Sequence, residues 1–84
     1  MGMDSTKTVR DAFLDTVMAQ IDKGDPPETR ATFERLTGAG RAKNEALILI
    51  AGALRDEMNR MLAESTSFDR QRYADLLTRI PAHG

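Results

Sequence analysis

AKNEALILIAGALRDEMNRMLAE, residues 42–64, is too long and too regularly spaced to be anything but a helix. Leu47, Ile50, Ala51, Leu54, Met58, Met61 and Leu62 recur at steps of three and four and so share one continuous face. At 1.5 Å per residue the segment spans ~34 Å, which makes it the long central helix of whatever surrounds it. Its first half is apolar on the reverse as well, through Ile48, Leu49, Gly52 and Ala53, whereas Asp56, Asn59 and Arg60 make the reverse of the second half polar. A helix that is apolar on two sides has to be covered on two sides. Ala42 offers no side-chain acceptor to complete a capping box with Glu45, so the first turn should fray.

Working outward, Ser65-Thr66-Ser67 breaks the pattern on the C-terminal side. Phe68 then precedes a capping Asp69 and is placed to pack on Tyr73, a hydrophobic staple opening a fourth helix over about 70–80. That helix buries Tyr73, Leu76, Leu77 and Ile80 until Pro81 stops it. Upstream, Gly38-Ala39-Gly40 closes a short second helix, about 26–37, that buries Thr29, Phe33 and Leu36. Its start reads as Asp25 at the N-cap, Pro26 at the first helical position and Glu28 reaching back. In the first helix, about 6–23, Val9, Phe13, Val17 and Ile21 recur at i+4 with Leu14 and Met18 beside them. Asp4, Ser5, Thr6 and Thr8 are candidate caps, the last with Asp11 three residues on, and Gly24 is a left-handed stop. No strand alternation competes, so the expected fold is all-α: a compact bundle of four helices in a single domain over 1–84, with 1–5 and 82–84 as mobile tails. Met58 and Met61 are expected as adaptable core filler.

Composition narrows function by exclusion. The 84 residues hold 12 Lys plus Arg against 13 Asp plus Glu, one His and no Cys. A small chain without Cys has no disulfides or thiolate metal sites and suits a reducing, cytoplasmic compartment. Residues 1–10 lack a signal-peptide core, and the longest apolar run, Ala46 to Leu54, falls far short of the roughly 20 residues of a membrane span. A net charge of −1 gives no general attraction to nucleic acid or anionic lipid. The excess of Arg over Lys suits either planar ion pairing or a GC-rich coding sequence.

Catalysis needs a perturbed acid, base or nucleophile held in a pocket. The one His, His83, lies beyond Pro81, and no phosphate loop, nucleophile elbow, zinc or calcium motif is present. Asp11, Asp15 and Asp22 share a helix face that reads as solvated rather than metal-binding. Glu57 borders the apolar stripe of the central helix and is expected to snorkel or to pair with Arg55 or Arg72. The chain is therefore expected to be no enzyme and to carry no cofactor and no metal.

The run Asp25-Pro26-Pro27-Glu28-Thr29-Arg30, then Phe33-Glu34-Arg35-Leu36, Gly40, Glu45-Ala46-Leu47, Ala53-Leu54, Glu57-Met58, Phe68-Asp69, Arg72-Tyr73 and Leu76-Leu77, resembles a family of small uncharacterised bacterial all-helical domains. The resemblance extends from about Phe13 to Pro81, implies a helical fold, and implies no activity. Some similar sequences carry His on the first and third helices; the corresponding helices here have none. Locally, Glu34-Arg35-Leu36-Thr37-Gly38-Ala39-Gly40 is similar to a helix-turn segment of the ubiquitin-associated-like domain of elongation factor Ts, with Ala46-Leu47 one residue out of step.

The residues themselves point to association. Ile48, Leu49, Gly52 and Ala53 form a second apolar surface whose small members let another helix approach, either within the monomer or across a C2 homodimer. An interaction or homodimerisation module is thus the leading expectation, with self or another protein as partner. The alternative is a small nucleic-acid regulator, the second and third helices forming a helix-turn-helix-like pair with Arg41, Lys43 and Asn44 at its front.

Overall fold

The computed structural model describes residues 8–82. They form α1 (Val9–Lys23), α2 (Pro27–Gly38), α3 (Lys43–Glu64) and α4 (Arg70–Thr78), with no strand among the described residues. The four-helix expectation and the long third helix are therefore met. The expected tail 1–5, the caps Asp4, Ser5 and Thr6, and His83 lie outside the described residues.

Local signals account for most helix ends. Thr8 and Asp11 form a reciprocal capping box, each side chain accepting from the other's backbone N–H at 3.1 and 3.2 Å. α1 ends on Gly24 at φ +68°, where the Asp25 N–H donates to the Gln20 carbonyl and the Gly24 N–H to that of Ile21. α2 ends with the same pair of bonds, from Arg41 to Leu36 and from Gly40 to Thr37, with Gly40 at φ +105°. α3 ends on Ser65, a non-glycine at φ +53°. Asp69 accepts from the Arg72 N–H at 3.0 Å, and the rings of Phe68 and Tyr73 sit 5.5 Å apart, completing the expected staple. Ala42 caps α3 with no side-chain bond, as its side chain dictates.

Three boundaries depart from expectation, the first being α1, which begins at Val9 after its cap Thr8 and not at about 6. α2 begins at Pro27, and its N-cap is Pro26 in an extended conformation rather than Asp25. A residue preceding proline is driven out of the α region, so Pro26 cannot be the first helical residue while Pro27 follows it. The Asp25–Pro26 peptide is cis. The same restriction at Ile80, which precedes Pro81, ends α4 at Thr78 instead of about 80; Arg79 and Ile80 continue only as i+3 turns onto Leu76 and Leu77.

Val17, Leu36, Ala46, Ile50, Ala51, Ala53, Leu54, Tyr73 and Leu77 form the core, with Phe13, Ile21, Phe33 and Leu76 packed around it. The buried face of α3 runs through Ala46, Ile50, Leu54 and Glu57, and this corrects the expected stripe. Glu57 is fully buried, whereas Met58 is exposed and Leu62 is 79% exposed. The core face thus continues from Leu54 by three residues to Glu57 rather than by four to Met58. Val9 and Met18 of α1, expected in the core, are also exposed.

Arginine forks tie the helices together. Arg30 donates to the carbonyls of Ile21 and Asp22 at the end of α1, and Arg35 to that of Leu77 near the end of α4. The bond to Asp22 satisfies a carbonyl of the last helical turn, and those to Ile21 and Leu77 add a second donor beside the N–H groups of Gly24 and Ile80.

Candidate functional site

The order of packing decides which surface stays open. α1 and α4 each pack on both α2 and α3, but not on each other. They reach each other through the Tyr73 hydroxyl, which donates to Gln20 Oε1 at 2.9 Å and is joined there by the Thr29 hydroxyl at 2.8 Å. Among the described residues no helix closes over the outer side of α3, and a groove lies along each flank.

The first groove runs between α1 and α3. Phe13, Leu14, Ala51 and Gly52 line it with Val9 and Ile48, around a cavity of about 270 Å³, and Arg10 and Arg55 stand at its rim. It continues past Leu14 and Ile48 to Met18, Leu47 and Asn44. Val9 is 73% and Ile48 42% exposed, and Met18 is exposed beside them. Scattered exposed apolar side chains are ordinary, but several facing one concave surface form a patch. The second groove lies between α3 and α4, over Leu49, Gly52, Ala53, Leu76 and Ile80, with Arg55, Asp56 and Arg79 around it.

The four residues singled out in the sequence divide between these grooves. Ile48 lines the first, Leu49 and Ala53 the second, and Gly52 belongs to both. Ala53 is buried and belongs to the core as well. A Cβ built on Gly52 would meet nothing within 4 Å. In a helix interior glycine is less favourable than alanine by about 0.8–1.0 kcal/mol, and no contact among the described residues requires it here. Val9, Arg10, Met18 and Arg55 are parts of the groove that sequence reasoning missed. Val9 and Met18 share α1's apolar spacing with true core residues, so periodicity alone could not separate them.

The residues proposed for nucleic acid are placed unevenly. Lys43 and Asn44 are exposed on the first turn of α3. Arg41, with a side chain only 9% exposed, donates through Nε and Nη2 to the Pro81 carbonyl at 3.1 and 2.8 Å, and through Nη1 to Glu45 at 2.7 Å. Its fork is already engaged by the fold.

The Glu57 carboxylate has a strongly shifted titration. Its partner is Arg60, not Arg55 or Arg72 as expected: Arg60 Nε donates to Oε1 at 2.9 Å and Nη2 to Oε2, which also accepts the Asp69 N–H at 2.7 Å. Arg60 extends further to Glu64, Thr66 and the Ser67 carbonyl, fastening the turn between α3 and α4. The bonds from Arg60 hold the Glu57 carboxyl down to about 2 against the opposing effect of burial, helped by the Asp69 N–H. Both oxygens are occupied from inside the protein, so Glu57 fastens the fold and does not stand ready as a base. Burial pushes the Tyr73 hydroxyl up, partly offset by its bond with Thr29.

Among the described residues no three His, Cys, Asp or Glu side chains gather as a metal set, and no helix is long and apolar enough to cross a membrane. Comparison of the chain with family models, with curated proteins and with solved structures gives no match.

Proposed function

We propose that the chain is a non-enzymatic protein-interaction module of the cytoplasm, and that the groove between α1 and α3 receives an amphipathic helix. The observation that carries this reading is Gly52: a glycine in the middle of the central helix, on an open apolar groove, with no atom near its missing Cβ. Close approach by a second backbone gives that glycine a use that the isolated fold does not. Self-association through the same groove is the other occupant consistent with the surface. A C2 dimer would bring two cationic rims together through Arg10 and Arg55, which weighs toward a different protein as partner.

The test combines molar mass by light scattering with an NMR titration using an uncharged amphipathic helical peptide. The expected result is a mass near 9.3 kDa at all concentrations and peptide-induced shifts confined to residues such as Phe13, Leu14, Ile48 and Gly52. A mass near twice that value, returning to one chain on Ile48→Glu, would identify the occupant as a second copy. A monomer whose amides ignore the peptide would overturn the reading.

A further inference from the structure

Resting on that reading, we infer that the helix received by the groove between α1 and α3 is acidic along its flanks. Among the described residues, Arg10 and Arg55 are the charged side chains lining the two stretches of the groove, and no described Asp or Glu lines either. The chain as a whole carries a net charge of −1, so this cationic rim is a local arrangement and not a reflection of composition. Arg10 makes no hydrogen bond or ion pair among the described residues. Arg55 reaches only Asp56, at 3.5 Å, with both side chains more than half exposed, a contact too long and too wet to hold its fork.

Each guanidinium therefore keeps N–H donors for a carboxylate, the group its planar fork matches best. On α1 the lining of the groove runs from Val9 to Met18, roughly 15 Å of helix, so it accommodates about three turns of a partner helix. In such a complex Leu and Ala side chains of the partner fill the floor over Gly52 and Ile48. Its Glu or Asp side chains lie along the two edges, within reach of Arg10 on one side and Arg55 on the other. Anionic lipid offers the same charge, but a concave groove fits a rod better than a planar membrane surface.

Three helical peptides with one Leu/Ala stripe and flanks of Glu, Gln or Lys discriminate these ideas when titrated into the full chain. The Glu peptide should bind about tenfold more tightly than the Gln peptide at low salt, and the Lys peptide most weakly. The advantage of Glu should shrink at roughly 0.5 M salt, where screening is strong. An Arg10→Glu, Arg55→Glu double variant should reverse the order, and Gly52→Leu, which fills open space, should abolish binding of all three while the circular dichroism spectrum is unchanged. Equal affinity for the Glu and Gln peptides would overturn the acidic preference and leave helix docking standing. Binding of none of them would overturn both. Co-sedimentation of the chain with phosphatidylcholine–phosphatidylglycerol vesicles, without peptide binding, would assign the rim to a membrane and also overturn the inference.

Discussion

Glu57→Gln removes one negative charge from the interior and changes almost no volume. Glu57 accepts bonds from Arg60 Nε, Arg60 Nη2 and the Asp69 N–H, so every partner is a donor. A glutamine amide must turn its NH2 toward one of them, losing at least one charge-assisted bond, worth about 1.5–3 kcal/mol, and facing donor with donor. Breaking a fully buried pair costs about 3–5 kcal/mol. Arg60 lies near the surface and keeps Glu64, which argues for the lower part of that range, about 3 kcal/mol. For a domain of this size that is a fall in Tm of roughly 12–24 °C. Circular dichroism melts at pH 7 measure it, and a pH series adds an independent check. The folded carboxyl titrates at about 2 against an ordinary 4.5, so its contribution is complete above about pH 5 and is lost as pH falls through 4.5 toward 2. The gap between wild type and Glu57→Gln should close over that interval. A drop in Tm below about 4 °C at pH 7, or two curves that stay parallel from pH 5 to 2, would refute the clamp.

Two other perturbations report on different parts of the fold. Ser65 holds φ +53° at the end of α3, where Gly carries no Cβ penalty, so Ser65→Gly should stabilise by about 0.5–1 kcal/mol in urea unfolding; an unchanged midpoint would contradict the strain. Tyr73 is the chain's one tyrosine, so an ultraviolet titration reads it alone: its midpoint should lie above 10 in the folded protein, with stability falling as pH rises past 10, and a midpoint of 10 before unfolding would show the hydroxyl to be open to water.

What the sequence disclosed depended on how far apart the interacting residues are. Thr8 with Asp11, Gly24, and Phe68 with Tyr73 act over three to five residues, and each was legible because its chemistry is local. Asp25 failed as a cap for an equally local reason, two consecutive prolines, which was available to read. Glu57 failed differently. Hydropathy spacing assigns a carboxylate to the surface, and only the three-dimensional meeting of Arg60 with the Asp69 backbone makes its burial favourable while Leu62 remains outside. The groove was half legible: apolar residues on both sides of α3 signalled a second contact surface. That α1 and α4 flank α3 without meeting over it is a matter of helix order in space, which no periodicity encodes.

The bond from Arg41 to the Pro81 carbonyl anchors the end of the described chain beside the first turn of α3. Asn44, three residues on from Arg41, lines one end of the groove along α1. A helix fused after Ala82 through a short flexible linker would therefore begin its path near the mouth of that groove, at an effective concentration of order millimolar. A weak ligand of this surface can thus be studied as an intramolecular one, with linker length as the variable that separates tethered occupancy from intrinsic affinity.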